Sequence, residues 1–120
     1  MLAEAALSEV ERRALDATVA ALHERFGEDL VAVWLYGSRA RGERHPESDV
    51  DVLVVIRGAD WRREHEVMDV AWDAAERVGA SSAYFSVIVG TPEWIDDRRA
   101  IRSFFLQEVD RDKIVLFGSM

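Results

Sequence analysis

LYGSRARGERHPESDVDVLVVI, residues 35–56, sets a Gly-Ser turn, several arginines and two closely spaced carboxylates against apolar, β-branched sequence. Its upstream end belongs to VAVWLY, residues 31–36, which reads as a buried strand. Its downstream end, DVDVLVVI at residues 49–56, reads as a second strand that is apolar on both faces from Val52 onward, as a central strand requires. Between the two, Gly37 makes the turn, Ser38 to Arg41 form a short helix, and Gly42 closes it before a polar loop around Pro46.

Outward from this stretch the periodicity changes to that of helices. Ser8 followed by Glu11 has the form of a capping box, and Leu15, Val19, Leu22 and Phe26 continue at helical spacing, so a helix over 9–26 is expected, ended by Gly27. Asp60 caps another helix, in which Met68, Ala71, Ala75 and Val78 form one stripe flanked by Trp61 and Trp72. SAYFSVIV, residues 82–89, is the third strand. Thr91 and Pro92 have the form of a cap and first helical position, opening a helical region that continues with interruptions through Phe104 and Val109. IVLF, residues 114–117, is a small edge strand or a docked tail. This alternation implies an α/β fold, a small mixed sheet covered on one side by helices.

Composition narrows the function classes. The chain has 120 residues, 49% hydrophobic and 32% charged, which suits one domain spanning residues 1–120. It has no cysteine, which removes disulfides, thiolate zinc sites and cysteine nucleophiles. A net charge of -8 opposes direct DNA binding, which needs a basic surface. With no secretory signal and no apolar run able to span a bilayer, a cytoplasmic protein without membrane contact is the expectation.

Side chains at i and i+2 of a strand leave the same face, so Asp49 and Asp51 point together, about 7 Å apart along the backbone. They are either solvated charges at a strand end or ligands of a hard metal. The turn after the first strand adds a possible anion site, because the first N–H groups of a helix lack intrahelical partners. The histidines His23, His45 and His65 share no metal spacing, and the four tryptophans are expected to pack.

Gly37-Ser38, ten intervening residues and Asp49-x-Asp51, as GSRARG followed by SDVDVLVV, resemble the minimal nucleotidyltransferases of the DNA polymerase β superfamily. The likeness is strongest over residues 31–57 and looser over 8–90. It implies the polymerase β-like nucleotidyltransferase fold, with Asp49 and Asp51 as the catalytic, Mg2+-binding carboxylates. Gly37, Ser38, Arg41 and Ser48 would bind the nucleotide, ATP or another NTP, with Arg41 preferred to Arg39 as a phosphate contact. Active members usually carry a third carboxylate on the next strand, where this chain has Ser86 or a neighbour, none of them acidic. Stand-alone members of similar length are often antitoxins paired with a helical HEPN-domain ribonuclease toxin, some of which they adenylylate on tyrosine. Two readings follow: an enzyme moving AMP from ATP to a protein hydroxyl in such a pair, or a catalytically weak nucleotide-binding module that neutralises its partner by binding. Residues 92–117, with Trp94, Phe104, Phe105 and Phe117, offer aromatic surface for a homo- or hetero-oligomeric interface.

Overall fold

The computed structural model describes residues 5–43, 49–81 and 84–118. Helix α1, Glu9–Phe26, begins at Ser8 because both halves of the capping box form. Ser8 Oγ accepts from the Glu11 N–H at 3.1 Å, and Glu11 Oε1 accepts from the Ser8 N–H at 2.8 Å. A 3-10 turn over Gly27–Asp29 leads to β1, Leu30–Tyr36, which runs directly into the one-turn helix α2, Gly37–Ala40. Then come β2, Val50–Ile56, and α3, Trp61–Arg77, capped by the Asp60 side chain. Strand β3, Phe85–Gly90, precedes α4, Pro92–Ala100, which carries the expected Thr91 cap and Pro92 at its first position. Helix α5, Phe104–Asp112, and strand β4, Ile114–Gly118, complete the chain.

The sheet order is β3-β2-β1-β4, with β1 antiparallel to β2 and β4, and β2 parallel to β3. The parallel pair needs a crossover, which α3 supplies. Residues 114–117 are therefore an edge strand, resolving that alternative. The third strand begins at Phe85, later than expected, and residues 82 and 83 lie outside the described ones.

Helices cover both faces, which corrects the expected one-sided arrangement. Val33, Leu35, Val52 and Val54 pack with Leu15 and Leu22 of α1 and Val67 and Ala71 of α3. Trp34, Tyr36, Leu53 and Val55 pack with Ile95 of α4 and Leu106 and Val109 of α5. The cause is the strand itself: a central strand apolar on both faces exposes one of them unless a second layer covers it.

The aromatic expectations divide. Trp34 is fully buried and Trp94 packs against the same core, but Trp61 is 66% exposed and Trp72 is also on the surface. Trp61 opens α3 outside its apolar stripe, with the Arg62 guanidinium 5.1 Å from its ring centroid. Among the C-terminal aromatics, Phe104 is 74% exposed, whereas Phe105 and Phe117 are partly buried against the two cores. Among the described residues no helix is long and apolar enough to cross a membrane.

Candidate functional site

The end of β1 and the start of β2 bring the two halves of the motif together. Asp51 lies opposite Tyr36 in the antiparallel ladder and opposite Ser86 in the parallel one. By strand alternation its side chain leaves on the face of Leu53 and Val55, the face covered by α4 and α5. Asp49, two residues earlier and exposed, shares that side.

The turn at Gly37 is shaped around Asp51. Gly37 has φ +78, a left-handed conformation that favours glycine, and a Cβ there would collide with Asp51 Oδ2. Backbone and carboxylate thus approach more closely than any side-chain-bearing residue would permit. Ser38 follows at once, half-buried at the start of α2. A single turn builds little macrodipole, so what α2 would offer an anion is its initial N–H groups, which lack partners within the helix, and the Ser38 hydroxyl. Ser48 lies outside the described residues.

Electrostatics single out Asp51. Burial and the neighbouring Asp49 carboxylate push its carboxyl above the ordinary value, partly offset by Arg39 and Arg41. Burial, and then the Asp51 charge, also push the Tyr36 hydroxyl up, so the two side chains share one low-dielectric corner. Two carboxylates held together against their repulsion, with hard oxygen donors, suit a divalent cation such as magnesium. Among the described residues no group of three or more His, Cys, Asp or Glu side chains could hold a metal, so triphosphate or water oxygens would have to complete the shell.

Arg39 within α2 and Arg41 at its C-terminal cap have different surroundings. Arg39 is engaged by the α1 side while its charge still bears on Asp51: its Nη1 donates to Glu11 Oε1 at 2.7 Å and to the Ala6 carbonyl at 3.0 Å. This pair is shielded, with side chains 13% and 19% exposed. Burial alone would raise the Glu11 carboxyl, but hydrogen bonds from Arg39 and Ser8 win and hold it below its ordinary value. Glu11 therefore both caps α1 and anchors α2. Arg41, at the other end of α2, donates from Nε to Glu43 Oε2 at 2.8 Å and from Nη1 to Asp112 Oδ2 at 3.1 Å. It borders a cleft of ≈ 140 Å³ between the Gly37 turn and α5, also lined by Tyr36, Phe105, Val109 and Asp112. A larger cavity of ≈ 640 Å³, between α1 and β4, shares no lining residue with this cleft.

Sequence reasoning placed Gly37, Ser38, Asp49 and Asp51 together and left Ser86 or a neighbour facing the pair, of which the register selects Ser86 opposite Asp51. It missed Tyr36, Asp112 and the second role of Glu11, as the partner of Arg39. Strand alternation through Trp34 and Tyr36 was a usable signal for the first. Nothing local signals Asp112, which meets Arg41 across 71 positions.

A four-stranded mixed sheet between helices, with a Gly-Ser turn and an Asp-x-Asp strand at one end, defines the nucleotidyltransferase class of fold. The sequence profile of the nucleotidyltransferase domain family matches residues 15–78, more than half of the chain. The chain belongs to that family. A Methanocaldococcus jannaschii protein named as a candidate protein adenylyltransferase is 37% identical over 68 residues, 54% of this chain and 46% of its own length. The chain thus spans about half the length of this curated relative. The fold is shared with a toxin-antitoxin structure solved with AMP-PNP, at TM-score 0.54 and 19% identity over 86% of this chain and 73% of the other. It is also shared with a spectinomycin adenyltransferase from Enterococcus faecialis solved with ATP and spectinomycin, at TM-score 0.60 and 13% identity over 91% and 56%. A mutant of the toxin-antitoxin pair MntA-HpeT aligns at TM-score 0.53 with 17% identity, over 85% of this chain and 72% of the other.

Proposed function

We propose that this chain transfers AMP from ATP to a hydroxyl of a partner protein, as the antitoxin of a pair whose toxin is a helical HEPN-domain ribonuclease. The observation that carries the reading is the close approach of the Gly37 backbone to the Asp51 carboxylate, which sets a glycine turn beside a pair of acids. The turn amides, Ser38, Ser48 and Arg41 would grip the triphosphate. Asp49 and Asp51 would hold magnesium, which when bound neutralises charge on the triphosphate and on the departing pyrophosphate. In the transfer, the acceptor oxygen forms a bond to the α-phosphorus, the α–β phosphoanhydride bond breaks, and pyrophosphate leaves as the hydroxyl proton passes to water. The chain's own contribution is positioning and charge placement.

The names of the relatives support this choice of chemistry: two are called adenylyl or adenyl transferases, and two neighbours are toxin-antitoxin structures. The test is to incubate the protein with magnesium, α-labelled ATP and a HEPN-domain protein from the same operon, then to weigh both intact proteins. One or more AMP masses on the partner, absent when Asp49 and Asp51 are both replaced by Asn, is the expected result. A stable complex with no mass gain would turn the reading to its alternative.

That alternative is a nucleotide-binding module that masks its partner without modifying it. Ser86 favours it, since the residue paired with Asp51 across the parallel ladder is a hydroxyl and not a carboxylate. Replacing Ser86→Asp should therefore raise any transfer rate about tenfold or more, by adding a ligand and a base next to the acceptor. An unchanged rate in a folded Ser86→Asp protein would refute this role for the position.

A further inference from the structure

The geometry points to a carboxylate latch on the nucleotide site: Asp112, assisted by Glu43, holds the Arg41 guanidinium in the cleft between α2 and α5, and an incoming triphosphate must displace it. This rests on the proposed role of Arg41 as a phosphate contact. Arg41 Nη1 lies 3.1 Å from Asp112 Oδ2 and its Nε 2.8 Å from Glu43 Oε2, so its donors are directed at protein acids. The Asp112 side chain is only 10% exposed, at the last position of α5, and lines the same cleft as Gly37.

Asp112 does not depend on Arg41 for neutralisation. Arg111 already donates to both of its oxygens, from Nε at 3.0 Å and from Nη2 at 2.9 Å. When Arg41 leaves, Asp112 therefore keeps a partner, and the exchange strands no buried charge. The pairs being released are partly exposed, and such pairs are typically worth about 0–1 kcal/mol. A triphosphate offers the guanidinium charge-assisted, potentially bidentate hydrogen bonds, which are stronger than neutral ones. The latch thus lowers nucleotide affinity by a modest factor without blocking the site. It also ties that affinity to the placement of α5, whose first residue is the exposed Phe104.

The test is calorimetric titration of magnesium-ATP into the whole chain at fixed ionic strength. Asp112→Asn should bind about two- to fivefold more tightly than the parent, the size expected for removing one competing surface ion pair. Arg41→Ala should bind more weakly, and adding Asp112→Asn to Arg41→Ala should change nothing. A gain that persists in the Arg41→Ala background would reduce Asp112 to a general repulsive charge and overturn the latch. Unchanged or weaker binding by Asp112→Asn would do the same. If Asp112→Asn does not fold, Glu43→Gln carries the test, with tighter binding expected and unchanged affinity fatal to the latch. Weakened binding by Arg41→Ala without a gain in Asp112→Asn keeps the phosphate contact and removes the latch. Absence of nucleotide binding in the parent and in Asp112→Asn removes both.

Discussion

The double variant Asp49→Asn with Asp51→Asn is expected to lose magnesium-dependent nucleotide binding by more than about 100-fold, because even the outer-shell partners of metal ligands are worth about 10- to 100-fold. Its fold should survive and become more stable. Asp51 has a carboxyl raised by burial and by Asp49, so the folded state favours its protonated form. The sign follows from linkage. A raised acid weakens the fold as pH climbs from the unfolded-state value through the folded-state one, and the full penalty stands at neutral pH. Asparagine carries no charge and removes it. Thermal melting at pH 7 should therefore show a higher midpoint for the double variant, and the gap should shrink as the medium is acidified. A lower midpoint would contradict the burial argument. Calorimetry showing undiminished magnesium-ATP affinity would defeat the metal-site reading outright.

Gly37→Ala is the second large effect. Two costs combine: a left-handed φ of +78, and a Cβ that would collide with Asp51 Oδ2. The conformational cost alone is about 1–2 kcal/mol, and the collision must move either the turn or the carboxylate. Gly79→Ala is the matched control, since Gly79 also has positive φ, +88, but its Cβ would meet nothing within 4 Å. Gly79→Ala should lower the melting midpoint by about 5 °C and leave nucleotide binding intact. Gly37→Ala should lower it further and cost nucleotide affinity about tenfold or more, the equivalent of about 1.4 kcal/mol. Equal effects of the two substitutions on stability and binding would mean that Asp51 relocates freely, and that the close approach does not define the site.

These two predictions share a structural cause, the junction of β1 with α2. Arg39 and Glu11 brace that junction from the α1 side through a shielded pair, whereas the Arg41–Asp112 contact with α5 is partly exposed and exchangeable. The short helix is thus anchored through the Arg39–Glu11 pair, which reaches a distant segment. A one-turn helix has little stability of its own, so its position depends on this brace and on the strand that feeds it.

Residue order alone determined what depends on neighbours in the chain. The Ser8 and Glu11 cap, the α1 and α3 periodicities, the Thr91-Pro92 start of α4 and the Gly37-Ser38 and Asp49-x-Asp51 motif all arise from contacts or patterns spanning a few residues. Tertiary structure decided what depends on distant segments meeting. The second helical layer over Leu53 and Val55 required α4 and α5 to fold back across the sheet. The parallel register that sets Ser86 beside Asp51 depended on where the α3 crossover delivers β3. The separate fates of Arg39 and Arg41 depended on Glu11 and Asp112, whose positions along the chain carry no mark of either contact. A local motif can specify two acids and a turn, but the charges that surround them come from whichever elements the hydrophobic layers bring alongside.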